Sequence, residues 1–149
     1  MDPARARRLA LSWLARREHG SQELRRKLIG KGCPAPVAEQ TVEQLQRERL
    51  LSDERFLESL VRARRTRGYG PLRIRKELRD KGVTRDAIER GLDAARAGWD
   101  EDIERVRRKK FGARRPKNMA ERARQARFLQ HRGFTFDQIQ QVLNPREVD

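Results

Sequence analysis

The chain has 149 residues, 40% of them charged and 36% hydrophobic, which is too little apolar material for one large core. A net charge of +15 calls for a polyanionic partner bound by counterion release. No apolar run approaches the ~20 residues of a membrane span, MDPARARRLA lacks the apolar stretch of a signal peptide, and the lone Cys33 excludes an internal disulfide, so a cytoplasmic protein with no membrane partner is expected.

Taken in chain order, the first segment, 4–18, sets Leu9 with Trp13 and Ala10 with Leu14 at helical spacing. A second helix over 21–31 runs into Lys31-Gly32, and a third covers 35–49. SDERFLESLVRARR opens the fourth, 53–67, with Ser52 as N-cap, Asp53 and Glu54 in the first turn, and Phe56, Leu57, Leu60 and Val61 as its stripe. Gly68-Tyr69-Gly70 follows, and Pro71 suits the first turn of a fifth helix over 71–81. Helices over 85–97, 100–111, 118–131 and 135–143 complete the series, the seventh with a weaker stripe of Ile103, Val106 and Lys110. No segment alternates with period two, so the fold is expected to be all-α.

Three segments repeat: ELRRKLIGKGCPAPVAEQTV, RIRKELRDKGVTRDAIERGL and RQARFLQHRGFTFDQIQQVL. Each places a leucine four residues before a glycine: Leu28 and Gly32, Leu78 and Gly82, Leu129 and Gly133. Small or apolar residues follow at matching positions, Ala38 and Val42, Ile88 and Leu92, Ile139 and Leu143. Glycine suits the left-handed turn that closes a helix, and Lys31, Lys81 and Arg132 before it favour the negative dipole end. The pattern predicts three tandem three-helix repeats, 1–50, 51–98 and 99–149, forming an elongated, curved molecule in which each repeat chiefly touches its neighbours.

RTRGYGPLRIRKEL poses a choice between a nucleotide loop and a corner. Nucleotide loops follow a strand and carry further glycines. Here a helix precedes, and Gly20-Ser21 holds the equivalent place in the first repeat, so a corner is predicted. Around it lie Arg62, Arg64, Arg65, Arg67, Arg73, Arg75 and Lys76 with no acid between Arg62 and Lys76, and with Tyr69 able to stack on a base or meet a phosphate. RVRRKKFGARRPK carries a second cluster, Arg105, Arg107, Arg108, Lys109, Lys110, Arg114, Arg115 and Lys117, ending in a loop expected to be mobile. Each cluster reads either as polyanion contact or as a solvated face or linker.

No catalytic constellation is found, and no cofactor is expected. His19 and His131 sit at corresponding helix ends, where the dipole favours a protonated ring. Cys33 lacks partners for zinc and fills a turn beside Pro34. Trp13 and Trp99 read as packing anchors.

LSDERFLESLVRARRTRGYGPLRIRKELRDKGV at 51–83 closely resembles the central motif of the RecX regulators of the RecA recombinase. RREHGSQELRRKLIGKG at 16–32 resembles the family's first repeat, and KKFGARRPKNMAERARQARFLQHRGF at 109–134 its third. The resemblance implies a protein without enzymatic activity, in which three tandem three-helix repeats lie in the groove of the RecA–DNA filament and inhibit strand exchange, ATP hydrolysis and co-protease activity in DNA repair and the SOS response. It also implies that some members bind DNA directly, and the basic clusters are expected to reach the phosphates of single- or double-stranded DNA without sequence preference; a monomer is expected in the free state. A plain DNA-binding protein of helical hairpins is the alternative reading.

Overall fold

The computed structural model describes residues 1–145, and among them every regular element is helical. The α-helices are α1 Pro3–Leu14, α2 Ser21–Gly30, α3 Ala35–Arg47, α4 Asp53–Thr66, α5 Pro71–Asp80, α6 Arg85–Ala94, α7 Trp99–Phe111, α8 Met119–His131 and α9 Phe136–Leu143, with a 3₁₀ turn at Arg96–Gly98. The chain divides into two compact units: Met1–Ser59 with Leu78–Ile88, and Leu60–Glu77 with the chain from Glu89 onward.

The repeated leucine–glycine pairs form three copies of one helix ending. After α2, Cys33 N–H donates to Leu28 O at 3.0 Å and Gly32 N–H to Ile29 O at 3.0 Å. The same two bonds recur from Val83 to Leu78 and Gly82 to Arg79, and from Phe134 to Leu129 and Gly133 to Gln130. This is the Schellman closure, whose central residue needs a positive φ; Gly32, Gly82 and Gly133 have φ of +94°, +83° and +95°. Leu28, Leu78 and Leu129 are fully buried. The end of α3 makes the same turn with a non-glycine residue: Leu50 N–H donates to Leu45 O while Arg49 sits at φ 60°.

In the first unit, Ala6, Ala10, Leu24, Leu28, Ala38, Val42, Leu45 and Leu51 form the core, with Leu9 and Trp13 packed against it. Cys33 joins that core, and its thiol points to Pro34 O at 3.6 Å. The start of α2 docks on α4 and on the α5–α6 turn. Ser21 donates from N and Oγ to the two Asp53 carboxylate oxygens at 2.7 and 2.8 Å. Glu23 is buried there between Arg17 at 2.7 Å and Lys81 at 2.8 Å. Burial alone raises its pKa, but hydrogen bonds from Arg17 and Lys81 outweigh it and hold the carboxyl at about 2.

His19 departs from the sequence expectation. α1 ends at Leu14, so His19 belongs to the connector before α2 and not to a helix end. It is buried, with Nδ1 donating to Arg17 O at 3.1 Å and Nε2 accepting from Lys27 Nζ at 2.9 Å. A ring that accepts from an ammonium is neutral. Burial is the main force holding its pKa below the ordinary value, joined by the nearby Arg17 and Lys27 charges against the raising effect of the Arg17 carbonyl. His131, by contrast, is the last residue of α8, as the sequence suggests.

In the second unit, Trp99, Ile103, Val106, Leu129, Phe134, Ile139, Val142 and Leu143 are buried. Gly68 closes α4 with φ +88°, and Gly70 opens α5 by lying backbone to backbone on the α8–α9 turn. Gly70 N–H donates to Arg132 O at 2.7 Å and Leu72 N–H to Gly133 O at 2.9 Å. A Cβ on Gly70 would lie 2.5 Å from Gly133 C. The glycine pair around Tyr69 is therefore a corner that seats the second repeat on the third.

Candidate polyanion-binding surface

Folding sorts the predicted basic residues into those given a carboxylate and those left without one. Arg64 grips Glu77 with Nε and Nη2, both at 2.8 Å, and this pairing raises its pKa. Arg65 pairs with Asp102 at 2.6 Å and lies 5.0 Å from the Trp99 ring centre; Arg75 pairs with Glu89 at 2.9 Å. The run between Arg62 and Lys76 holds no acid, yet acids from 77, 89 and 102 are folded onto it.

The second cluster is sorted by Glu104. Its carboxylate takes Arg107 and Arg108 at 2.9 Å and Arg115 at 3.5 Å. Hydrogen bonding from Arg107 is the largest effect holding its pKa at about 2. Arg107 is 0% exposed and also donates to the carbonyls of Gly112, Ala113 and Arg114 at 3.2–3.5 Å. Arg115 Nη1 donates to Val142 O at 2.7 Å, and Lys117 N–H to Glu121 at 2.7 Å. These bonds pin the 112–118 loop, where the sequence suggested a mobile one. Arg107 and Arg115 serve the fold of that loop.

Of the two predicted clusters, Arg62, Arg67, Arg73, Lys76, Lys109, Lys110, Arg114 and Lys117 have no carboxylate on their side chains among the described residues, and all are exposed. Two of them are restrained by aromatic rings. Arg73 lies 3.9 Å over Tyr69 and Lys110 lies 5.5 Å over Phe128. Arg132 sits between these rings, 5.4 Å from Tyr69 and 5.2 Å from Phe128, with Nη1 donating to Arg67 O at 3.1 Å. Phe111 meets Phe128 edge-on at 5.4 Å and carries Arg124 at 5.7 Å. Tyr69 and Arg73 from the first predicted cluster are thus linked to Lys110 from the second. The linking residues, Arg132, Phe128, Phe111 and Arg124, are absent from the sequence-level set. Arg132 had a visible signal, since it takes the place of Lys31 and Lys81 before the repeat glycine. Phe128 had none, because helical spacing alone marks it as core.

Comparison with known proteins decides the family. The family models for the first, second and third three-helix domains of RecX match residues 6–45, 52–92 and 100–143. The chain belongs to the RecX family. The protein named regulatory protein RecX from Pseudomonas syringae pv. tomato is 44% identical over 147 residues, spanning 99% of this chain and 95% of its own length. That from Pseudomonas entomophila is 42% identical, spanning 98% and 94%. Among solved structures, the crystal structure of RecX from Lactobacillus salivarius superposes with a TM-score of 0.81 at 18% identity, covering 95% of this chain and 94% of that one. A second RecX crystal structure gives 0.77 at 19% identity, covering 97% and 72%. Both share the RecX fold. No described helix is long and apolar enough to cross a membrane.

Proposed function

We propose that this RecX-family chain is a non-enzymatic regulator that binds the RecA–DNA filament along its groove and inhibits ATP hydrolysis, strand exchange and co-protease activity. Family membership carries the reading. The physics is consistent with it: a chain of net charge +15 meets a polymer lined with phosphates, and several weak cationic contacts on one scaffold add through effective concentration. Action is by occupancy, in the cytoplasm, with the free protein a monomer.

A general DNA-binding protein is the competing reading. Its helices would enter a major groove with base-reading side chains at a helix start. The starts offered here are Pro71-Leu72-Arg73, whose Leu72 N–H is bonded to Gly133, and Thr84-Arg85-Asp86, where Thr84 caps α6 through Ala87 N–H at 3.3 Å. Affinity for bare duplex and for the RecA filament, measured at matched salt, separates the two. A filament regulator prefers the filament at least tenfold, or by about 1.4 kcal/mol; equal affinities would favour the DNA-binding reading.

A further inference from the structure

The cations of the second unit are held in two different ways, and the difference predicts what each can bind. A carboxylate partner cancels a guanidinium's charge and occupies its N–H donors. An aromatic face does neither: it attracts the cation through the ring quadrupole and leaves the in-plane donors and the full charge available. Arg64, Arg65 and Arg75 are held the first way by Glu77, Asp102 and Glu89, while Arg107, Arg108 and Arg115 share the single carboxylate of Glu104, which engages donors on each and offsets one of their three charges. Arg73, Arg132, Lys110 and Arg124 are held the second way, with no carboxylate partner among the described residues, although Arg132 also gives an Nη1 donor to Arg67 O.

We infer that Arg73, Arg132, Lys110 and Arg124, ordered by Tyr69, Phe128 and Phe111, form a track for the phosphodiester backbone of a nucleic acid. Successive members share a ring. Tyr69 carries both Arg73 and Arg132, Phe128 carries both Arg132 and Lys110, and the Phe128–Phe111 contact extends the row to Arg124. A row of like charges with no acid paired to any member is matched by an anion that itself repeats, as phosphates do along a strand. The stacking restrains long side chains that would otherwise lose rotamer freedom on binding.

Tyr69 takes a different part from the base-stacking one its sequence position suggests. With Arg73 only 3.9 Å from its centre and Arg132 also on it, the ring is engaged by guanidinium groups. It acts as a positioning residue, and the contacts it supports read phosphate without reading sequence. The inference rests on the filament reading only for where the nucleic acid is met, since the track itself is a property of the isolated chain.

The test uses the full chain and a fluorescein-labelled oligo(dT) strand, with anisotropy measured across a salt series. On a single strand each neutralised phosphate adds ~0.7 to the log–log salt slope. The Arg73→Gln/Arg132→Gln variant should therefore bind more weakly, with a slope smaller by about 1.4. Lys110→Gln, on an exposed side chain that cannot disturb the core, should lower it by about 0.7. Tyr69→Leu keeps every charge and should weaken binding about fivefold by unseating two stacked cations, while Tyr69→Phe should bind like the parent. Arg75→Gln/Glu89→Gln removes a self-neutralised pair and should leave binding unchanged. An undiminished slope in Arg73→Gln/Arg132→Gln, or a parent chain that ignores the strand at low salt, overturns the track. A parent that binds through these residues yet leaves RecA untouched would sink the filament reading and spare the track. A parent that slows RecA while the double variant keeps its full slope would do the reverse.

Discussion

Replacing Gly70 by alanine tests how the second repeat is seated on the third. The added Cβ would lie 2.5 Å from Gly133 C and 2.6 Å from both Gly133 O and Phe134 N, all main-chain atoms that no side-chain rotation can clear. Relief requires the corner and the α8–α9 turn to separate, which stretches the bonds at 2.7 Å from Gly70 to Arg132 and 2.9 Å from Leu72 to Gly133. Overpacking of this kind costs about 1–3 kcal/mol, and each hydrogen bond about 0.5–1.5 kcal/mol. Against this, alanine gains about 0.4–1 kcal/mol by stiffening the unfolded chain. A net loss of about 3 kcal/mol follows. The chain has two tryptophans, so a Trp13→Phe background leaves Trp99, buried in the second unit, as the reporter. With a urea m-value of about 2 kcal/mol/M, the Trp99 transition should move down by roughly 1.5 M. Gly30→Ala is the control. Nothing lies within 4 Å of its Cβ and it ends α2, so it should stabilise by about 0.5–1 kcal/mol. If Gly70→Ala leaves the Trp99 midpoint unchanged or raises it, the close backbone docking described above is wrong.

Arg49→Gly should stabilise the first unit by about 0.5–1 kcal/mol, since Arg49 holds φ 60° and its carbonyl bond from Arg55 at 2.9 Å survives the change; a lower urea midpoint followed by Trp13 would contradict this. Arg107→Met should cost about 2–4 kcal/mol, because three loop carbonyls lose their donor while Glu104 keeps Arg108 and Arg115, and a Trp99-monitored midpoint within experimental error of the parent would refute the clamp. His19 has a folded pKa below its ordinary 6.5, so the unfolded chain binds the proton more readily; its contribution is intact above pH 6.5 and is lost as pH falls below that value. Glu23 and Glu104, held at about 2 against 4.5, add a second loss between pH 4.5 and 2. Urea midpoints should therefore decline in two stages on acidification, and His19→Gln should flatten the upper one.

The helices were legible because their signals are local. Leucine-to-glycine spacing fixed three Schellman endings, and Ser52, whose Oγ accepts from Arg55 N–H at 3.2 Å, marked the start of α4. The main boundary discrepancy was the end of α1, placed at 18 by spacing and found at Leu14, because Arg17 leaves the helix to reach Glu23. The 3₁₀ turn at Arg96–Gly98 trimmed α6 in the same way, replacing its last predicted turn. The fate of individual charges was not legible, because it depends on partners far along the chain. Arg65 and Asp102 are 37 residues apart, and nothing near Arg65 announces its neutralisation. The neutral His19 was hidden for the same reason: the sequence shows a place near a helix end that suits a protonated cap, but not the burial that reverses it.

The most direct test of a filament regulator is ATP turnover by preformed RecA filaments on single-stranded DNA as this chain is titrated in at physiological salt. Turnover should fall in a saturable manner as the chain occupies the filament. Turnover that stays constant while binding to the filament saturates would contradict the proposed inhibition of ATP hydrolysis.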